Sequence, residues 1–185
     1  MGEKEVEIKF RADDVEGLAR RLEAAGFHVA TLRTHEANTL YDFPGGLLRK
    51  RGELLRLRRY GGQWTVTHKG KGAPGRHKQR VETETGVGNG ETLEAIFARL
   101  GLAPSFRYEK FRTEWTDGHG HVVVDETPIG NFAEIEGTPG WIDRTAEALG
   151  VAEAEYITQS YAELFTDWKR RTRSKAQNMT FAECR

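Results

Sequence analysis

Acidic and basic residues spaced two apart are the strongest chemical signal in this 185-residue chain. The opening stretch EVEIKF puts Glu5, Glu7 and Lys9 on one face of an extended segment and Val6, Ile8 and Phe10 on the other, because side chains alternate across a strand. The pattern recurs as Arg56 and Arg58, as Arg80, Glu82 and Glu84, as Lys110 and Arg112, and as Glu134 and Glu136, with Lys69 and Asp125 as single members. These seven acids and seven bases alternate with apolar or β-branched residues such as Leu55, Leu57, Val66, Val81, Phe111, Val124 and Ile135. Glutamates two apart project side by side, and two facing doublets make an oxygen-rich cradle suited to Mg²⁺ or Mn²⁺. Arginines and lysines around such a cradle bind phosphate oxygens, Arg through forked donors and Lys as a point charge. The combination predicts a metal-bridged oligophosphate.

Positioning these groups requires strands, and eight segments of period two are present: EVEIKF, THEANTLYDF, ELLRLRRY, QWTVTHKG, KQRVETET, RYEKFRTEW, HVVVDET and NFAEIEG. Short turns such as Gly61–Gly62 and Asp117 to Gly120 join consecutive strands, so the fold class is α+β, with a mainly antiparallel sheet. Eight strands are enough to close a barrel. Four amphipathic helices are expected, over DDVEGLARRLEAAGF, ETLEAIFARLG, GWIDRTAEALG and the run holding Tyr161, Leu164, Phe165 and Trp168. Asp13 or Asp14 would cap the first, and Gly26 and Gly101 would end the first two. The helices must bury their apolar faces on the apolar side of the sheet, which turns the charged side inward if the sheet closes. For any one strand a solvated outer face explains the charges; for the whole set it does not, because such faces also carry Ser, Gln and Asn. A charged interior persists only if counter-charges, metals or a polyanion fill it.

The bulk numbers narrow the classes. The 28 basic and 28 acidic residues cancel, so no global field draws the chain to nucleic acid or an anionic membrane. A single cysteine, Cys184, allows no internal disulfide, and no apolar run reaches spanning length, so a soluble cytoplasmic protein is expected. Residues 1–170 read as a single domain, and 171–185 as a polar basic tail expected to be disordered. The basic stretch from Gly70 to Lys78 reads as a solvated hairpin tip, since its GKG lacks the rest of a phosphate-binding P-loop. The six histidines include no HExxH pair, and His28 and His121 read as ordinary surface or strand residues.

EVEIKF resembles the N-terminal ExExK signature of the CYTH superfamily, the triphosphate tunnel metalloenzymes. TLYDF, LRLRR, THKG, QRVETE, EKFR, VVVDETPIGNFAEIE and QSY follow in the family's order, so the resemblance covers about residues 3 to 165. It implies an eight-stranded antiparallel β-barrel, the triphosphate tunnel, with helices packed outside and a divalent cation, Mg²⁺ or Mn²⁺, within. Carried over, Glu5, Glu7, Glu134 and Glu136 look like the principal metal ligands. Glu82, Glu84 and Asp125 are candidates for a second metal or the attacking water. Lys9, Arg56, Arg58, Lys69, Arg80, Lys110 and Arg112 look like the triphosphate clamp, with Lys9 also a candidate catalytic group. Tyr41, Ser160 and Tyr161 match family positions that rim packing explains as well as catalysis does.

The resemblance implies a metal-dependent triphosphatase acting on inorganic triphosphate or an organic triphosphate; tripolyphosphate, ATP and thiamine triphosphate are the candidate substrates. The alternative within the family is a class IV adenylate cyclase converting ATP to cyclic AMP and pyrophosphate. A reading of another class is a non-catalytic polyphosphate or nucleotide-binding module, against which the seven carboxylates speak. No membrane and no specific nucleic acid is expected as a partner, and a homodimer is left open. With a visible clamp and no visible nucleoside contact, tripolyphosphate is expected to turn over faster than ATP.

Overall fold

The computed structural model of the chain describes residues 3–73 and 78–185, and the side chains of residues 6–73 and 79–185. The strands are β1 (Glu3–Arg11), β2 (His28–Asp42), β3 (Leu54–Tyr60), β4 (Gln63–Lys69), β5 (Lys78–Val87), β6 (Ala103–Thr116), β7 (His121–Thr127) and β8 (Gly130–Glu136). They close into a barrel in the order β1-β5-β4-β3-β2-β6-β7-β8, with every neighbouring pair antiparallel. Closure leaves the barrel an inside and an outside, and the period of two turns the paired charges inward, with a few apolar residues such as Leu40, Phe106 and Val123 among them.

The apolar residues sit on the outside, under the helices. Helix α1 (Val15–Ala24) starts where the Asp14 carboxylate accepts from the Gly17 N–H at 2.8 Å, and Gly26 leaves it in the left-handed region at φ 88°. It seats Leu18 and Leu22, both fully buried, against Ile8, Phe10 and Ile135. Each leucine contributes about 2 kcal/mol by leaving water, and Leu22→Ala would cost about 3 kcal/mol. Helix α4 (Pro139–Ala148) adds Trp141 and Ile142 to the same core. The Trp141 indole donates to Asp117 at 2.9 Å, and its ring lies where a Cβ on Gly120 would come within 2.5 Å, so the β6–β7 turn requires glycine there. Helix α3 (Gly90–Arg99), capped by Asn89, covers β2, β3 and β4 through Phe97, Tyr41 and Leu57. Helix α5 (Tyr161–Thr172) opens with a capping box, Ser160 with Glu163. It packs Tyr161, Leu164 and Phe165 with Tyr108, Ile129 and Phe132.

Four features depart from the sequence reading. A short helix α2 (Leu47–Lys50) was missed; it exists because Asp42 accepts from the N–H groups of Phe43, Leu48 and Arg49. Strand β2 starts at His28 rather than Thr34, and register shifts around Thr31 blur its alternation. Val81 lies on the apolar face of β5 yet stays 57% exposed, because no helix covers it. The expectation of a disordered tail over 171–185 is corrected. Met179 is fully buried, its N–H donates to the Arg107 carbonyl at 2.9 Å, and its carbonyl accepts from the Glu109 N–H at 2.9 Å. The segment runs parallel to the part of β6 that lies beyond the reach of β7, satisfying backbone groups that an edge would expose. Phe181 packs its ring on Phe111. No helix among the described residues is long and apolar enough to cross a membrane.

Candidate active site

The inner face of the barrel bounds a cavity of about 2230 Å³. All seven expected clamp residues line it: Lys9, Arg56, Arg58, Lys69, Arg80, Lys110 and Arg112. Glu7, Glu82, Glu84, Glu134 and Glu136 line it as well. Asp125 lies beneath this surface with no exposure. The backbone of Glu5 is in β1 opposite Arg80, while its side chain lies outside the described residues.

The charges form two groups on opposite walls. In the first, Lys9 contacts Glu134 at 3.1 Å and donates to the Gln159 carbonyl at 3.1 Å. Lys110 reaches Asp125 at 2.8 Å, while Arg112 spans Asp125 and Glu134 at 2.6 and 2.7 Å. The Tyr161 hydroxyl donates to Asp125 at 2.7 Å, and its ring lies 4.5 Å from the Lys9 amine and 5.0 Å from that of Lys110. In the second group, Arg56 and Arg58 reach Glu84 at 3.3 and 3.0 Å, and Lys69 reaches Glu82 at 2.7 Å. Arg56 is also 3.6 Å from Glu82. Thr65 and Thr67, on the inner face of β4, accept from Arg58 and Arg56.

Several contributors escaped the sequence reading. Glu36 is 1% exposed and sits directly across the β2–β6 ladder from Lys110, 3.4 Å from its amine, with Asn38 donating to it at 2.8 Å. Burial pushes its carboxyl up, but Lys110, Arg112, Arg56 and Arg58 together outweigh that and hold it well below the usual carboxylate range. Burial and Arg112 both work against the Lys110 charge, yet Asp125, Glu36 and Glu134 prevail and raise its value. Burial, with Asp125 and Glu134, pushes the Tyr161 phenol well above its ordinary value, so the hydroxyl stays a donor. Glu36 and Asn38 are in phase with Asp42 in THEANTLYD, which is the signal that locates them.

Other expectations resolve by position. Tyr41 faces outward, its ring on Phe97 and its hydroxyl on Glu94 at 2.6 Å, so its part is packing. Ser160 caps α5, and Tyr161 is part of the tunnel wall rather than its rim. His28 is an exposed strand residue, whereas His121, also exposed, borders the cavity opposite Glu136. Of the Gly70 to Lys78 loop, Lys71 and Gly72 border the cavity, and residues 74–77 lie outside the described residues.

The donor set bears on metal binding. Glu7 stands directly opposite Glu136 across β1–β8, one step from the facing pair Lys9 and Glu134. Lys78 stands opposite Glu7 across β1–β5 and His121 opposite Glu136 across β7–β8, and a donor set dominated by carboxylate oxygens suits a hard divalent ion. Among the described residues no three acidic side chains are gathered at ligating range, Glu134 being held by Lys9 and Arg112. The residues therefore fit a metal in type and register, and their side chains must turn from the bases to hold it. Among the described residues, the buried Nε–H groups of Arg56 and Arg80 have no hydrogen-bond partner. A buried guanidinium N–H left unpaired is costly, and an anion in the cavity would relieve it.

Comparison with known proteins agrees with this geometry. The sequence profile of the CYTH domain matches residues 3–161. A Methanocaldococcus jannaschii protein provisionally named an adenylate cyclase is 28% identical over 171 residues, covering 86% of this chain and 97% of that one. A Vibrio parahaemolyticus structure with the same provisional name superposes with a TM-score of 0.78 at 21% identity, over 90% of this chain and 99% of that one. A Hippeastrum protein, provisionally an adenylyl cyclase and described as having a dominant triphosphatase activity, superposes with a TM-score of 0.67 at 15% identity, over 89% and 95% of the two chains. At these identities the structural likenesses establish the shared fold.

Proposed function

The chain belongs to the CYTH domain family, and from that premise we propose that it is a metal-dependent triphosphatase hydrolysing inorganic triphosphate or an organic triphosphate in its tunnel. The observation that carries the reading is the convergence of Lys9, Arg56, Arg58, Lys69, Arg80, Lys110 and Arg112 on one cavity. A triphosphate chain carries closely spaced anionic oxygens, and two facing walls of Lys and Arg hold such a chain along its length.

The residues divide the work by position. Arg56, Arg58, Lys69 and Arg80 grip the phosphate oxygens from one wall, and Lys9, Lys110 and Arg112 from the other. Fixed before the reaction, these cations stabilise charge that develops on the equatorial oxygens as the bond breaks. Both Asp125 oxygens are engaged, by Lys110, Arg112 and Tyr161, which favours an anchoring role over the ligand role the family pattern suggests. Glu82 and Glu84 reach the cavity surface but are themselves held by Arg56, Arg58 and Lys69, so either would orient the attacking water and take its proton only once the phosphate chain has drawn those bases to itself. Glu5, Glu7, Glu134 and Glu136 would hold Mg²⁺ or Mn²⁺. A bound divalent ion neutralises phosphate charge and aligns the leaving oxygen.

The cyclase reading rests on the provisional name of the Methanocaldococcus relative and requires the ribose 3′-hydroxyl in line with the α-phosphorus. Orthophosphate release from tripolyphosphate with Mg²⁺ or Mn²⁺, halted by chelation, tests the proposal. A protein that binds tripolyphosphate and releases nothing under either metal would instead be a binding module.

A further inference from the structure

Where β7 begins and β8 ends, one row of cross-strand partners holds a nitrogen donor beside two carboxylates. Glu136 stands opposite Glu7 across β1–β8, and His121 stands opposite Glu136 across β7–β8, so the three follow one another on adjacent strands. Directly opposed residues point to the same face of a sheet, with Cβ atoms about 5 Å apart. All three line the cavity, and Val123, in phase with His121 on β7, lines it too, so this phase of the strand is the inward one. His121 is exposed rather than packed into a core, and among the described histidines it alone borders the cavity.

A histidine in that row offers what the glutamates do not, a neutral nitrogen lone pair. We propose that His121 is a further ligand of the tunnel's metal, joining Glu7 and Glu136, and that it biases the site towards Mn²⁺ over Mg²⁺. The inference rests on the reading of Glu7 and Glu136 as metal ligands and adds the donor that discriminates between the two candidate cations. Mg²⁺ keeps to oxygen ligands and gives up its waters reluctantly. Imidazole suits transition-metal ions, and of the two candidates only Mn²⁺ is one. Among the described residues the three side chains are not gathered at ligating range. Inward side chains of a closed barrel converge, so turning about their own side-chain bonds brings neighbours in one row together while the ladder stays as it is.

The test reads the metal's ligands directly. The full chain is given Mn²⁺ at half its own concentration, with and without tripolyphosphate, and pulsed electron paramagnetic resonance records nitrogen-14 modulation from a bound imidazole. Wild type should show that modulation and folded His121→Ala should lose it. By calorimetric titration the same variant should bind Mn²⁺ about tenfold more weakly and Mg²⁺ within about twofold of wild type. Bound Mn²⁺ without nitrogen modulation in the wild type would overturn the proposal, as would modulation or a ratio of Mn²⁺ to Mg²⁺ affinity that is unchanged in folded His121→Ala. A chain that binds no Mn²⁺ under either condition would overturn it together with the glutamate ligand set. The spectra need no turnover, so nitrogen-coupled Mn²⁺ in a protein that releases no orthophosphate would refute the triphosphatase reading and leave His121 a ligand.

Discussion

Glu36 faces Lys110 across the β2–β6 ladder, 3.4 Å from its amine, and both are almost completely buried. A carboxylate in that position is a permanent counter-charge to the basic wall. Its folded-state value lies far below the ordinary 4.5, so its contribution to stability is complete above pH 4.5 and is lost as pH falls towards the folded value. Glu36→Gln leaves the wall under-compensated and should cost about 3 kcal/mol at neutral pH. In urea titrations the gap between wild type and variant should stay constant above pH 4.5 and narrow below it. A gap independent of pH would mean that the loss comes from packing.

Tyr161 separates ring from hydroxyl. Tyr161→Phe keeps the aromatic face beside Lys9 and Lys110 and removes the donor to Asp125. Loss of a buried hydrogen bond to a charged group should lower stability by about 2 kcal/mol. It should also raise KM several-fold, because Asp125 anchors the two bases that grip phosphate. Unchanged thermal stability and KM would remove Asp125 from that anchoring role.

The C-terminal segment is structural by its burial. Met179→Ala should cost about 3 kcal/mol, since the side chain is fully buried in the core that also holds Tyr108, Phe132 and Tyr161. Denaturant midpoints of this variant and of a chain ending at residue 174 should both fall, the truncation further. A truncated chain as stable as the full one would contradict the docking.

These three cases also mark where the sequence is readable. The inward charges of β1, β3, β5, β6 and β8 were legible because a period of two, once closed into a barrel, leaves no choice of face. Asp14 and Gly26 marked the ends of α1 by local chemistry alone. Glu36 was harder to read as a site residue, because its inward neighbours Asn38 and Leu40 are uncharged and only its phase with Asp42 marks the face. Met179 sits among polar residues, and its burial depends on a stretch of β6 unpaired by β7 that no local pattern reveals. Phe106 and Tyr108 are in phase with Lys110 and Arg112, but only closure and α5 show that the four share one cavity.

Metal dependence has its own readout. Glu134→Gln removes a carboxylate that faces Lys9 and approaches Arg112, and it should abolish turnover under either metal. Titrating Mn²⁺ into wild type and variant with tripolyphosphate present should show at least about tenfold weaker metal affinity in the variant. Wild-type hydrolysis in Glu134→Gln, or in the presence of excess chelator, would remove these glutamates from the ligand set.

The most direct measurement follows phosphorus by NMR while the protein, with Mg²⁺ or Mn²⁺, is given tripolyphosphate and, separately, ATP. Orthophosphate and diphosphate are expected from tripolyphosphate, and ADP with orthophosphate from ATP, because the bases of the tunnel grip the phosphate chain and not the nucleoside. Cyclic AMP and pyrophosphate as the main products of ATP, with tripolyphosphate left intact, would contradict the triphosphatase reading and establish the cyclase instead.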